Sequence, residues 1–443
     1  MLPVTDAMRT LKIFAAADRG MAMGHLDGKV AFVPFAAPGD VVEVQVVREK
    51  RRYVETRLVR ILEPSPTRRP ARCPHFGVCG GCQWQHLPYP DQLDAKARSF
   101  RGLLRSRLRL AEDRFLTPLA SPTEWGYRNR VGWKVRQVGG TVRVGYFARG
   151  THRLVALGAC PVAHPAIQSL LPRLTAFFQG FAPARGHLPQ VDVQVDGEER
   201  LWAVFHRLRP FTPGERSALE GFLESESLAG AALQGGRKST LEPLGGRAGG
   251  GKMTFRIQVG SRALSLAVSP GGFVQANPGV NQALVDAVAD LAPLYRGRDV
   301  VDLYCGAGNF TLPLALAARR VVGVEGYPPA AADAADNARR NGLPEVRTLA
   351  APVPEGLEQL IREGFRPWFA LLDPPREGAA DAVTALGRLA PAHILYVSCS
   401  PATLTRDLHL LQGQGYRVEW TRMADMFPQT AHVESLTLLG RAL

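Results

Sequence analysis

The run Val300-Val301-Asp302-Leu303-Tyr304-Cys305-Gly306-Ala307-Gly308-Asn309-Phe310 decides how the C-terminal part of the chain folds. It opens as a near-continuous apolar strand, the pattern of a strand covered on both faces. Gly306 and Gly308 then turn the chain and let backbone approach a ligand. Similar apolar runs recur at Val321–Val324, Phe369–Leu372 and Ile394–Val397, with Ala-rich helical stretches between them. One such helix is expected from about Pro329 to Arg340, with Pro near its start and Asn341-Gly342 at its end. This alternation predicts a doubly wound α/β domain over residues 266–443, with its ligand outside the carboxyl ends of the strands. Glu325 closes the next strand about 20 residues beyond the glycines, where an acid can hydrogen-bond both ribose hydroxyls. Asn309 stands where a third glycine would complete a dinucleotide fingerprint, so an adenosyl group without pyrophosphate is the expected ligand.

Three further stretches sit at strand ends of this domain. Leu371-Leu372-Asp373-Pro374-Pro375-Arg376 holds a carboxylate at the sheet's active edge on a turn stiffened by two prolines. In Tyr396-Val397-Ser398-Cys399-Ser400-Pro401 a cysteine leaves a buried strand and precedes a helix starting near Pro401. A helix N-terminus lowers a thiol pKa, which marks Cys399 as a nucleophile. His432-Val433-Glu434-Ser435-Leu436 puts an acid at the head of an apolar strand, an expensive arrangement unless the acid is paired or functional. If that last strand lies beside the one ending at Cys399, thiol and carboxylate form a nucleophile and base pair.

Upstream the chain changes character. Residues 1–66 read as a small β-barrel: short β-branched runs at Leu11–Phe14, Lys29–Pro34, Val41–Val47 and Val54–Val59 are parted by Asp18-Arg19-Gly20, Asp27-Gly28 and Pro38-Gly39-Asp40. From Arg48 to Arg72 nine Lys/Arg face three Glu, an excess of +6. The whole 443-residue chain carries +14. Such a balance argues for a polyanionic partner, nucleic acid before anionic membrane, and a basic barrel face can track RNA phosphates. Residues 67–265 are expected to form a mixed α+β central domain. A helix begins near Asp91, with Leu93, Ala97, Phe100 and Leu104 on one face and Lys96, Arg98, Arg101 and Arg105 over the rest. Strands return from Trp125 to Ala159, and the Gly-rich run Gly245–Gly251 reads as a loop or hairpin tip.

Several classes are excluded. No apolar run approaches the ~20 residues of a membrane span, so no membrane partner is expected. The N-terminus lacks the pattern of a secretory signal. Six cysteines are too sparse for a disulfide scaffold, so a reducing cytoplasm is the expected location. Cys73, Cys79 and Cys82, with Cys160 far downstream, suit a zinc ion or an iron–sulfur cluster, and spacing alone does not choose between them. Cys305 is left over and reads as structural.

Taken together, these cysteines, Phe273-Val274-Gln275-Ala276-Asn277, the glycine motif, Asp373-Pro374-Pro375-Arg376, Ser398-Cys399-Ser400 and His432-Val433-Glu434 resemble the RNA uracil-C5 methyltransferases. The likeness covers nearly the whole chain and is strongest to the ribosomal-RNA branch that carries a TRAM domain and a [4Fe-4S] cluster. It implies a Rossmann-like class I methyltransferase domain at the C-terminus, behind a TRAM (OB-like) barrel and a cluster-bearing central domain. It further implies S-adenosyl-L-methionine contacts from Gln275, Tyr304, Gly306, Gly308, Asn309, Glu325 and Asp373, and cluster ligation by Cys73, Cys79, Cys82 and Cys160. Cys399 would be the nucleophile and Glu434 the base, with Phe273 and Asn277 at the substrate. The expected partner is RNA, ribosomal RNA above all, bound by a monomer. One departure is visible: Ala350-Ala351-Pro352-Val353 offers no Asn or Asp side chain near the adenine.

The chemistry supports the same assignment. C5 of uracil is a poor nucleophile until a thiolate adds at C6, and the C5 proton must then leave to a base. The target base must also be taken out of its stack, and Phe273 offers a platform unless it is a core residue. RNA cytosine-C5 methyltransferases are the nearest enzyme rival, but Arg376 stands where they usually carry a second cysteine. A transfer-RNA uracil enzyme, a non-catalytic RNA-binding or assembly protein and an iron–sulfur electron carrier are the remaining alternatives.

Overall fold

The computed structural model describes residues 8–237, 240–245 and 251–441; five of the seven residues of the Gly-rich run 245–251, namely 246–250, lie outside them. The first unit is a closed barrel of β1 (Met8–Ala16), β2 (Met21–Leu26), β3 (Lys29–Pro34), β4 (Val41–Glu49) and β5 (Tyr53–Glu63), in the order β1-β2-β3-β5-β4. Leu11, Ile13, Ala22, Ala31, Val33, Val42, Val44 and Val54 fill it, alternate residues pointing inward. Asp40, fully buried, ties its end to the following segment: it accepts from the Ala37 and Ser65 N–H groups, each at 2.7 Å, and from Arg68 at 2.6 Å.

A seven-stranded sheet forms the central unit. It contains β6 (Arg130–Val138), β7 (Thr141–Phe147), β8 (Leu154–Ala156), β9 (Gln190–Val195), β10 (Leu201–His206), β11 (Gly230–Gln234) and β12 (Glu242–Leu244), in the order β12-β11-β10-β9-β6-β7-β8. Leu170, Leu171, Leu174 and Phe178 from the helix over Pro165–Gly180 and Leu219 and Leu223 from the helix over Pro213–Ser225 pack against it.

The C-terminal unit is the expected doubly wound domain. Its strands are β15 (Asp299–Leu303), β16 (Arg320–Glu325), β17 (Val346–Ala350), β18 (Phe369–Leu372), β19 (His393–Ser398), β20 (Tyr416–Ala424) and β21 (Glu434–Arg441). Their order is β17-β16-β15-β18-β19-β21-β20. The first five are parallel, whereas β21 runs antiparallel to β19 and β20 antiparallel to β21. The helix over Pro328–Arg340 starts within one residue of its expected place, and the helix over Pro401–Gln412 directly follows Cys399-Ser400. A hairpin, β13 (Met253–Val259) and β14 (Arg262–Val268), adds Ile257, Leu264 and Leu266 to this domain's core.

The helix expected near Asp91 spans Tyr89–Leu108. Its residues Phe100, Leu104 and Leu108 are buried in one core with Val301, Leu303 and Tyr396 of the C-terminal sheet. Lys96 departs from the expected polar face: it is 1% exposed. Its Nζ lies 2.6 Å from Asp425 Oδ1 and 2.9 Å from the Phe427 carbonyl oxygen. A buried lysine persists only when its charge is met in this way.

Candidate active site

The carboxyl ends of β15, β16, β18 and β19 meet at one edge of the C-terminal sheet, where a doubly wound fold binds its ligands. Tyr304 leaves β15 in a left-handed conformation (φ 63°), and Gly306 follows at φ 54°. That turn aims the Gly306 N–H at Glu325, whose Oε2 accepts it at 3.0 Å while Oε1 accepts from the Tyr327 N–H at 2.7 Å. The acid at the end of β16 is thus held in place by backbone donors. Gln275, Tyr304, Gly306, Asn309 and Asp373 line one cavity together with Phe273 and Asn281. The open space is narrow, about 90 Å³. Gln275 Nε2 donates to Asp373 Oδ2 at 3.3 Å, joining two of its walls. An adenosyl ligand fits the donor set of these walls.

Two expected residues stand elsewhere. Gly308 faces the protein: a Cβ there would lie 3.6 Å from Leu312 and 3.7 Å from Ala334. Those are ordinary contacts; what requires glycine there is the backbone, at φ 98°. Asn277, expected at the substrate, is 1% exposed and acts as a helix N-cap, its Oδ1 accepting from the Val280 N–H at 3.3 Å and its Nδ2 donating to Ser121 Oγ at 2.9 Å. Phe273, by contrast, is 60% exposed at the cavity wall and is no core residue. Asn309 lines the cavity, and its amide exchanges two 2.9 Å hydrogen bonds with Asn281, a residue that no motif flagged. Ala351, in the departing segment, gives its N–H to the Glu325 carbonyl oxygen at 3.0 Å.

Cys399 and Glu434 are brought to the same place. The β19–β21 ladder ends with Ser398 paired to Ser435, and Cys399 and Glu434 lie at that same end, near enough for Glu434 to act on the thiol electrostatically. Glu434 is buried, and its Oε1 has no hydrogen-bond partner among the described residues. Burial and the nearby charge of Asp373 push its carboxyl well up, against the pull of Arg376. Burial likewise raises Asp373 to about 7. The thiol departs from expectation: burial, Glu434 and Asp373 push Cys399 up to about 11, and the helix N-terminus does not outweigh them. Burial thus biases both the Cys399 thiol and the Glu434 carboxyl toward their protonated forms.

Cys399 opens onto a cleft of about 900 Å³. Its walls are Ala15–Arg19, Met23 and Phe32 of the barrel, Lys96–Ser106 of the helix over Tyr89–Leu108, and Ala431–Val433 before Glu434. A separate cavity of about 260 Å³ is lined by Cys73, Cys79, Cys82 and Cys160 with His75 and Tyr146. Arg376 and His432 line both spaces. No three Cys, His, Asp or Glu among the described residues close around a point that takes one metal ion. Yet all four cysteines border the same space, and burial raises the thiols of Cys79, Cys82 and Cys160, Cys82 to about 12.

The segment leading to Glu434 is held from the cysteine side. Gln92 donates to Gln429 Oε1 at 2.9 Å and accepts from the Gln429 N–H at 2.8 Å. The N–H groups of Gln83 and Trp84 donate to the Gln429 carbonyl oxygen at 2.9 and 3.0 Å. Lys96 grips Asp425 and Phe427 at the other end of the same segment.

Comparison with known proteins agrees with this architecture. A TRAM domain model matches residues 9–59. The protein described as 23S rRNA (uracil(1939)-C(5))-methyltransferase RlmD from Nitrosococcus oceani is 37% identical over 98% of this chain and 97% of its own. The protein of that description from Pseudomonas fluorescens is 38% identical over 99% and 95%. Among solved structures, the Pyrococcus abyssi tRNA (uracil-54, C5)-methyltransferase in complex with S-adenosyl-L-homocysteine superposes with a TM-score of 0.71 at 24% identity, covering 97% of this chain and 99% of that one, a likeness of fold. The model of the tRNA (Uracil-5-)-methyltransferase family matches residues 88–442, and with these relatives it places the chain in that family of S-adenosylmethionine-dependent RNA uracil-C5 methyltransferases.

Proposed function

We propose that this protein methylates C5 of a uridine in 23S ribosomal RNA, with Cys399 as nucleophile and Glu434 as base. The observation that carries the reading is that the end of the β19–β21 ladder brings Cys399, on a cleft walled by the basic barrel, close to the buried Glu434. Cys399 Sγ adds to C6 of the uracil, which places carbanion character on C5. S-adenosylmethionine supplies an electrophilic methyl group when bound. Gln275, Tyr304, Gly306, Asn309, Glu325 and Asp373 would hold that donor so that its methyl faces C5. Once C5 is methylated, Glu434 takes the C5 proton and the thiolate leaves, restoring the ring. Burial pushes the Cys399 thiol up to about 11, so the addition to C6 needs an acceptor for its proton.

Ribosomal RNA is favoured over transfer RNA by the relatives of 37% and 38% identity, which match the barrel as well as the catalytic domain. The cysteine cavity fits a [4Fe-4S] cluster better than zinc. Zinc draws its sulfurs to about 2.3 Å from a single centre, whereas these four ring a cavity without converging. Cys73, Cys79, Cys82 and Cys160 would ligate the cluster, whose contribution is structural. The enzyme would act as a monomer in the cytoplasm. Mass-spectrometric mapping of 5-methyluridine in ribosomal and transfer RNA, with and without this protein, tests the reading. A 5-methyluridine in 23S RNA that depends on the protein is expected; its appearance only in transfer RNA would move the substrate.

A further inference from the structure

The outer face of the barrel carries aromatic side chains that the catalytic site does not use. Alternation along β2 and β3 points Met23, His25 and Phe32 outward. A register shift between Ile13 and Ala15 lets Phe14 and Ala15 both lie outside the core. Phe14 is 49% exposed and stacks on His25, ring centroids 4.7 Å apart and 18° from parallel. Phe32 meets Tyr53 edge-on at 5.6 Å. Cross-strand pairing sets these groups in two neighbouring rows, Met23 beside Phe32 and His25 beside Val30 and Tyr53. The first row lines the cleft that opens on Cys399, so the aromatic face continues that cleft outward. Exposed Arg51 and Arg52 immediately precede Tyr53.

Aromatic faces beside cationic groups are how proteins hold unpaired nucleic acid: bases stack while charges follow the phosphates. We propose that this barrel face is a stacking platform for unpaired RNA, receiving bases that flank the target uridine as the strand enters the cleft. The inference rests on the RNA-methylating reading above. A buried aromatic would serve the barrel core; Phe14 instead sits half in solvent on a strand whose inward residues, Leu11 and Ile13, already fill that core.

The test measures binding of single-stranded oligouridine RNA, and of an RNA duplex of equal length, to the full chain over a range of salt concentrations. Phe14→Ala and Phe32→Ala should each weaken the single strand by roughly 5- to 150-fold, the range for loss of one base–aromatic stack. The slope of log Kd against log salt should not change, because no phosphate contact is lost. Phe14→Trp, which keeps a π face, should bind as the natural protein does, and duplex binding should be unaffected by Phe14→Ala. Arg51→Ala with Arg52→Ala should instead flatten the salt slope. Unchanged single-strand affinity in Phe14→Ala, or an affinity loss that flattens the slope, overturns the platform. RNA carrying 5-fluorouridine at the target position, with S-adenosylmethionine added, separates the two readings, because once C5 is methylated fluorine cannot leave as the proton does. A covalent adduct with the natural protein, beside unaltered binding by Phe14→Ala, sinks only the platform; absence of any adduct sinks the methylation reading.

Discussion

Ser398 and Ser435 are register partners at the end of β19 and the start of β21, and that pairing brings Cys399 and Glu434, their neighbours in sequence, to the same end of the two strands. Two residues separated by most of the last helix and strand pair are thereby fixed by backbone hydrogen bonding, before any side-chain contact is counted. The Cys399→Ala variant should form no covalent RNA adduct and no 5-methyluridine. Glu434→Gln should still form the adduct but release it slowly, with turnover lowered by about 10²- to 10⁴-fold, the usual contribution of a general base. Gel-shifted, denaturant-resistant protein–RNA complexes measure the first step and 5-methyluridine yield the second. Brisk turnover by Glu434→Gln would remove it from the base role.

The Lys96–Asp425 pair has both side chains fully buried. Lys96→Met leaves a carboxylate without its counter-charge and should cost about 3–5 kcal/mol of stability, whereas Lys96→Met combined with Asp425→Leu should recover most of it. Unfolding in urea reports both. Because Asp425 begins the segment that ends at Glu434, the single variant should also show faster amide exchange over residues 425–433.

His86 lies between barrel and cysteine loop, its Nε2 3.1 Å from the Ala36 carbonyl oxygen. Burial first, with help from the Arg68 charge, lowers its pKa from 6.5 to about 4. The folded protein thus holds the neutral ring. The stability this gives is complete above pH 6.5 and is lost as the pH falls through about 4. Between those values the melting temperature of the natural protein should fall more steeply than that of His86→Asn. Parallel melting curves would remove His86 as the cause.

Asn281 holds Asn309 by two amide hydrogen bonds at the cavity proposed to take S-adenosylmethionine. Asn281→Ala frees Asn309 to rotate and should weaken S-adenosylhomocysteine binding by roughly five- to tenfold, the worth of about one hydrogen bond. Calorimetric titration gives the number; an unaltered affinity would show that Asn309 needs no anchor.

Purified protein should contain iron and acid-labile sulfide, and Cys82→Ser should lose both. One zinc per chain without iron would replace the cluster by a mononuclear site. Loss of iron in Cys82→Ser should be accompanied by looser protection of the Gln429 segment, since Gln83 and Trp84, next in sequence, bond to it.

What could be read from the sequence was whatever is written locally. The buried strands ending at Leu303, Glu325, Leu372 and Ser398 announce themselves by unbroken apolar runs, and the side chains that follow them inherit a place at the active edge. The Cys399–Glu434 proximity was legible because both residues flank strands. The thiol pKa was not, because the helix-terminus effect is local while the opposing carboxylates, Glu434 and Asp373, arrive from other strands. Lys96 looked like one more polar residue on a basic helix; its partner is more than three hundred positions away. Asn277 has a distant partner too, Ser121, although its N-cap bond from Val280 is local and Asn277-Pro278 is a helix-start signal that the motif reading passed over.

Phe100, Leu104 and Leu108 complete a core whose other half is formed by strands near the opposite end of the chain. During synthesis from the N-terminus this greasy helix must emerge long before the sheet that shelters it exists. Nascent chains of this protein therefore pass through a prolonged stage with an uncovered apolar stripe, a stage at which chaperones and aggregation compete. Truncation anywhere before β15 would leave that stripe permanently bare.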